Sequence, residues 1–159
     1  ILPQLGIDPL LYGKFDVGKL RQSLDLNTFT VGYVGRFDYE KGVHILIHAF
    51  SRIGKGKLLM IGYGKYQHKF KEIIRKLNIE NRVTFLPTQP MDELPAYYNC
   101  MDVLVLPSLT APTWKEQFGH VLIEAMACEV PVIGSSSGEI PNVIGDAGLI
   151  FKEGNVEFL

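Results

Sequence analysis

"FTVGYVGRFDYEKGVHILIHAF", residues 29–50, changes its hydrophobic period halfway along. Residues 29–34 form a short, nearly continuous run rich in β-branched and aromatic side chains. Beyond "GRFDYEKG" (35–42) the apolar positions recur at helical spacing as far as Ile53. A short continuous run suits a strand covered on both faces, and a 3.6-residue period suits a helix packed against it. The stretch therefore reads as strand, turn and helix. The same alternation continues along the chain. "KLLMIG" (57–62), "RVTFL" (82–86), "DVLVLP" (102–107), "VPVIG" (130–134) and "AGLIF" (147–151) read as further strands. Residues 42–53, 66–77, 91–100 and 120–128 read as helices. Strands alternating with helices at this rhythm predict an α/β fold, a parallel sheet with helices on both sides.

Composition agrees with one globular domain. The chain has 159 residues, 47% of them hydrophobic and 21% charged, which is enough to bury a sizeable core. A formal net charge of −1 gives no support for nucleic acid as a partner, which would need a basic excess. No apolar run approaches the roughly 20 residues that cross a bilayer, and no signal peptide is visible. Cys100 and Cys128 fall in helix-like segments and read as small core residues, which points to a reducing compartment. Residues 1–25 are irregular and punctuated by Gly and Pro, a linker with at most a poor first helix, and the domain is placed at 26–159. The start at Ile1 and the close "EGNVEFL", where a helix is expected to begin, read as the ends of a piece of a longer protein.

In open parallel sheets, ligands bind beyond the carboxyl ends of the strands, where the strand order reverses. The segments there are 35–42, 62–65, 87–90, 107–119 and 135–141. In the first, Gly35 permits a turn, and Arg36 and Lys41 follow. A guanidinium fork and a mobile ammonium five positions apart could grip a diphosphate. The plainer alternative makes them surface charges, with Lys41 paired to Asp38 or Glu40. In "WKEQFGHVLIEAM" (114–126), Gly119 stands where a helix should start. The amides of Gly119, His120, Val121 and Leu122 are then expected to point outward as an anion site. Glu124, one turn in, leans back toward that site, and Glu116 precedes it on the loop.

From the residues alone several readings of this acid pair stay open. Glu116, His120 and Glu124 recur every four residues like a metal-binding stripe, although Phe118-Gly119 and Pro112 argue against one continuous helix. A glycosidase acid and nucleophile would leave Arg36, Lys41 and the helix start without a purpose. Either glutamate could also be simply solvated. Gly62-x-Gly64 lacks the third glycine of a dinucleotide fingerprint and reads as a tight turn. "KYQHKFKEIIRK" (65–76) is basic enough to touch anionic lipid but reads better as a solvated helix face. His44 and His48 have no third ligand.

"VGYVGRFDYEKGVHILIHAF", "NRVTFLPTQPMDELPAYYNCMDVLVLPS" and "EQFGHVLIEAMACEVPVIGSSSGEIPNVIGDAGLIF" together resemble the C-terminal domain of GT-B glycosyltransferases, specifically family 4. The resemblance runs from about Gly6 to the end. It implies a Rossmann-like three-layer sandwich with a mostly parallel sheet of about six strands, one half of a GT-B enzyme. The N-terminal GT-B domain of the same chain would hold the acceptor, and this domain would hold a nucleotide-sugar donor. The implied reaction is retaining transfer to a glycan, lipid or small molecule, with no cofactor and no metal. Arg36 and Lys41 match the basic pair on the donor diphosphate. Glu116 matches the acid beside the donor sugar, and Glu124 the acid on the ribose. Gly35, Phe118, Gly119, His120, Val121 and Leu122 would offer backbone to the sugar and phosphates, and Thr88 and Gln89 would lie against the base. Departures are Gln117 and Glu129, where Gly is common, and Asn142, where an acid is common. A non-catalytic nucleotide-binding module, an epimerase or a phosphorylase of the same architecture are the alternatives. The implied location is cytoplasmic, with peripheral contact at the inner face of the membrane left open for the full-length enzyme.

Overall fold

A computed structural model describes residues 6–159. The part of the expected linker at residues 1–5 lies outside the described residues. Six strands form one sheet: β1 (Thr30–Val34), β2 (Lys57–Ile61), β3 (Val83–Leu86), β4 (Val103–Leu106), β5 (Val132–Ser135) and β6 (Gly148–Phe151). Their order is β3-β2-β1-β4-β5-β6, and every neighbouring pair is parallel. The helices are α1 (Gly18–Ser23), α2 (Val43–Arg52), α3 (Gln67–Lys76), α4 (Leu94–Tyr98), α5 (His120–Ala127) and α6 (Ile140–Ile144).

Strand alternation sends neighbouring side chains to opposite faces, and the core divides accordingly. Leu58 and Met60 of β2, with Val103 and Val105 of β4, pack with α2 and α3 through Leu46, Ile47, Phe50 and Phe70. Leu59, Ile61, Leu104 and Leu106 pack on the other face with Tyr98, Leu122, Ile140 and Ile144. The result is the expected three-layer, Rossmann-like α/β sandwich. Both faces are covered over β1, β2 and β4, and for this reason those strands read as continuous apolar runs.

Two expected elements differ. The helix foreseen over 91–100 is confined to Leu94–Tyr98, because Met91–Glu93 form a turn with the amides of Glu93 and Leu94 on the Pro90 carbonyl. The helix expected to begin in "EGNVEFL" does not form; residues 152–159 run through turns and bends. The leading segment packs on the domain. Tyr12 is buried against Tyr98, and the guanidinium of Arg21 on α1 donates to the carbonyls of Leu26, Thr28 and Cys100 and pairs with Asp102 at 3.1 Å. Cys100 and Cys128 are buried free thiols in the core, as expected. Among the described residues no helix is long and apolar enough to cross a membrane.

Candidate functional site

The strand order reverses between β1 and β4, whose pairing runs through Val31–Val103 and Gly32–Leu104. The segments leaving their carboxyl ends, 35–42 and 107–119, diverge and open a cleft. It measures about 620 Å³ and is lined by Gly35, Arg36, Lys41, Glu116 and the backbone of Phe118–Val121. An adjoining recess of about 180 Å³ shares Val34, Gly35 and Arg36 with it and brings in Thr88 and Gln89. Ten of the twelve candidate residues therefore meet in one continuous depression.

The floor of the cleft is the start of α5. Gly119 caps it in the left-handed region, φ 83°, with its missing Cβ replaced by Leu106 and Leu122 at close range. A side chain there would be strained and crowded, so the tight entry into the helix requires glycine. The amides of Phe118, Gly119, His120 and Val121 find no acceptor among the described residues and form an anion-receptive edge. Leu122 corrects the expectation. Its amide donates to the Gly119 carbonyl at 2.9 Å and its side chain is fully buried, because the first helical turn closes one residue earlier than foreseen.

Glu116 is the most constrained group in the cleft. Its carboxylate Oε2 accepts from Lys41 Nζ and from Ser108 Oγ, each at 2.8 Å, and the residue is only 8% exposed. Its Oε1 takes no hydrogen bond from the described residues. Its backbone carbonyl accepts from Glu139 N–H at 3.0 Å. Gly138, at φ 56°, passes so close that a Cβ would sit 1.9 Å from that carbonyl. The loop after β5 thus clamps the loop after β4. Buried hydroxyls continue the clamp: Ser135 Oγ donates to the Ser108 carbonyl at 2.5 Å. Thr110 and Ser137 hydroxyls lie 3.1 Å apart.

The plainer pairing of Lys41 with Asp38 or Glu40 does not occur. Lys41 reaches Glu116 across 75 positions, and its ammonium lies 4.8 Å from the centre of the Trp114 ring. Asp38 pairs with Arg36 at 2.9 Å, leaving the guanidinium more than half exposed at the mouth of the cleft. Tyr33 OH donates to the Arg36 carbonyl at 2.7 Å and fixes the turn from below.

Glu124 stands apart and lines neither depression. Its Oε2 accepts a short hydrogen bond from the hydroxyl of Tyr98, which is fully buried. Burial, then the charge of Glu124, pushes the Tyr98 phenol far above its ordinary value of 10. The other oxygen of Glu124 takes no hydrogen bond from the described residues. The every-fourth-residue stripe is broken, since Glu116 precedes the helix that carries His120 and Glu124. Among the described residues no three His, Cys, Asp or Glu side chains gather as metal ligands.

Sequence reasoning missed Ser108, Tyr98, Asp38 and Gly138. Tyr98 and Gly138 act across distant segments, on Glu124 and on the Glu116 carbonyl. Asp38 and Ser108 lie in the post-strand loops themselves, Asp38 on Arg36 two positions away and Ser108 on Glu116 eight away.

A doubly wound sheet of this order, with an amide-edged cleft bearing two ion pairs at its switch point, is the architecture of the class. The chain belongs to the glycosyl transferases group 1, whose family model matches residues 17–159. It is 34% identical over 156 residues to N-acetyl-alpha-D-glucosaminyl L-malate synthase of Bacillus anthracis, covering 94% of this chain and 39% of that protein. Anabaena HepE, solved in complex with UDP-glucose, superposes with a TM-score of 0.86 at 30% identity, over 96% of this chain and 43% of that one. The C-terminal domain of the glycosyl transferase group 1 protein LpcC of Francisella tularensis shares the fold, with a TM-score of 0.80 at 21% identity over 96% and 83% of the two chains. The chain thus spans about two fifths of the length of the first two relatives.

Proposed function

We propose that this chain is the donor-binding domain of a retaining, family 4 glycosyltransferase, which moves a sugar from a nucleoside-diphosphate sugar to an acceptor. The observation that carries the reading is the convergence of Arg36, Lys41, Glu116 and four unpaired backbone amides over the β1–β4 switch point. Fixed cations and amides beside a small cleft suit a diphosphate. HepE, a relative of the same architecture, holds UDP-glucose.

In this reading the diphosphate lies along the start of α5, between Arg36 and the amide edge. The base enters the recess by Thr88 and Gln89, and Glu124 offers its free oxygen to the ribose. The donor sugar meets Glu116 Oε1. The bond from the anomeric carbon to the diphosphate oxygen breaks, and its electron pair leaves with the diphosphate. An acceptor hydroxyl oxygen bonds to the same face of that carbon as it gives up its proton to the departing diphosphate oxygen. Negative charge grows on the leaving group, where Arg36, Lys41 and the amides already point, so they favour the transition state over the ground state. No metal is required, because these groups supply the positive field. The acceptor hydroxyl arrives from a facing N-terminal domain.

Calorimetric titration of the full-length enzyme with UDP, GDP and ADP tests this directly. One of them is expected to bind in the micromolar range without added divalent ion, and absence of binding by all three would end the proposal.

A further inference from the structure

A second cleft, of about 490 Å³, lies outside the first and is lined by Thr110, Trp114, Lys115 and Gln117 around a short hairpin. Its size falls in the roughly 300–1,000 Å³ range of small-molecule sites. It borders the cleft over α5, since Gln117 lines both. The indole of Trp114 stands on the outer side of this border. Lys41, which lines the inner cleft, approaches the ring to 4.8 Å, while Trp114 itself lines the outer one.

The hairpin holding this ring is pre-formed. Ala111 and Trp114 exchange both backbone hydrogen bonds, at 2.7 and 3.1 Å, with Pro112 and Thr113 at the tip. Thr110 N–H donates to Glu153 at 2.6 Å, and Leu109 N–H donates to the Glu40 carbonyl at 2.8 Å. An amphipathic ring held on a rigid support contributes contact area at little entropic cost. Its lining offers hydroxyl, amide and ammonium groups from Thr110, Thr113, Gln117 and Lys115, and the nearby Glu153 carboxylate is held on the Thr110 amide. A flat apolar face with hydrogen-bonding groups at its rim matches a pyranose ring, which has a C–H face and a hydroxyl edge.

We infer that the outer cleft is an acceptor subsite for a saccharide, stacked on Trp114 and handed to the reacting carbon beside Glu116. This rests on the donor-binding reading for its place in the reaction, but saccharide binding itself does not depend on that reading. The hairpin would then share acceptor recognition with the facing domain and make a glycan the acceptor class.

Trp114 is the single tryptophan of the chain, so all tryptophan emission comes from this ring. Titrations with nucleoside diphosphate alone separate a signal passed through Lys41 from one caused by saccharide. The 159-residue chain would be titrated with methyl glucoside, methyl galactoside and maltotriose, with and without UDP, GDP or ADP. A saturable emission change at millimolar concentration is expected for at least one saccharide. In calorimetry, Trp114→Ala is expected to weaken that saccharide at least tenfold while leaving nucleoside-diphosphate affinity within twofold, and Trp114→Phe should restore most of the loss. If no saccharide in the panel alters the emission, the inference is overturned. It is equally overturned if Trp114→Ala weakens saccharide and diphosphate alike, since the ring would then serve only to place Lys41. Failure of every nucleoside diphosphate to bind, with saccharide binding intact, would sink the donor reading and leave this one standing.

Discussion

Glu116 and Glu124 are the same residue type eight positions apart, yet the fold treats them in opposite ways. Glu116 sits on a loop, buried, with its charge met by a lysine and a serine. Glu124 sits on a helix beside a neutral, buried phenol that offers one hydrogen bond and no countercharge. One acid is compensated, whereas the other has no ion-pair partner among the described residues. A carboxylate that must accept from neutral hydroxyls works best uncompensated. One that stands beside a diphosphate is tolerable only if a cation cancels it.

Lys41→Ala attacks the compensated side and carries the largest expected effect. Removing one partner of a largely buried pair leaves the other charge unmet, at about 3 kcal/mol by the usual cost of such a break. Urea unfolding would measure it, and Lys41→Ala with Glu116→Ala together should recover most of the loss. A cost below 1 kcal/mol would show the pair behaving like an exposed one.

The two acids should also part company in ligand binding. Glu124→Gln is expected to weaken nucleoside-diphosphate binding roughly tenfold, the scale of one hydrogen bond to a charged group. Glu116→Gln releases Lys41 and should tighten the same ligand by about threefold, on the order of one weak ion pair. Equal weakening by both variants in calorimetry would dissolve the contrast.

Tyr98→Phe probes the uncompensated side. Loss of the hydrogen bond to Glu124 should cost about 1.5 kcal/mol at neutral pH. The phenol is held protonated in the folded chain well above its unfolded value of 10. Its contribution is therefore complete below pH 10 and is lost as the pH rises beyond it, because only the unfolded chain then releases the proton. Wild-type stability should fall in that range, and Tyr98→Phe should lessen the slope by about 1.4 kcal/mol per pH unit. Tyr33, buried and likewise raised, keeps a slope in the variant.

A third acid marks the far end of the same helix and gives the smallest effect. Glu129 has φ 59°, in the left-handed region that disfavours side chains. Glu129→Gly should raise stability by about 0.5 kcal/mol, the strain relieved less the entropy that glycine adds to the unfolded chain. A loss on thermal unfolding would mean that the side chain has a role of its own.

Much of this molecule was legible in its sequence where the signal is local. The apolar runs at 57–62 and 102–107 landed on β2 and β4, because strands covered on both faces leave no alternative pattern. Gly119 announced the start of α5. The loop positions after each strand located the cleft. Helix α6 carries no helical signal of its own, since "IPNVI" is five residues long and too short to show a period. The pairing of Lys41 with Glu116, the Ser108 hydrogen bond and the Tyr98–Glu124 contact join segments 75, 8 and 26 positions apart. No spacing rule encodes them, for they depend on strand order. That order was itself unreadable from the runs alone.

The clamp on Glu116 has a bearing on how this chain could diversify. Leu109 is tied to Glu40 and Glu116 to Glu139, so the loop between them is anchored at both ends. With Thr110 also held, by Ser137 and Glu153, residues 111–115 form a cassette that projects between fixed ends. If the hairpin takes a saccharide as proposed, a graft of another hairpin there would change which saccharide is held while Glu116 stayed in place.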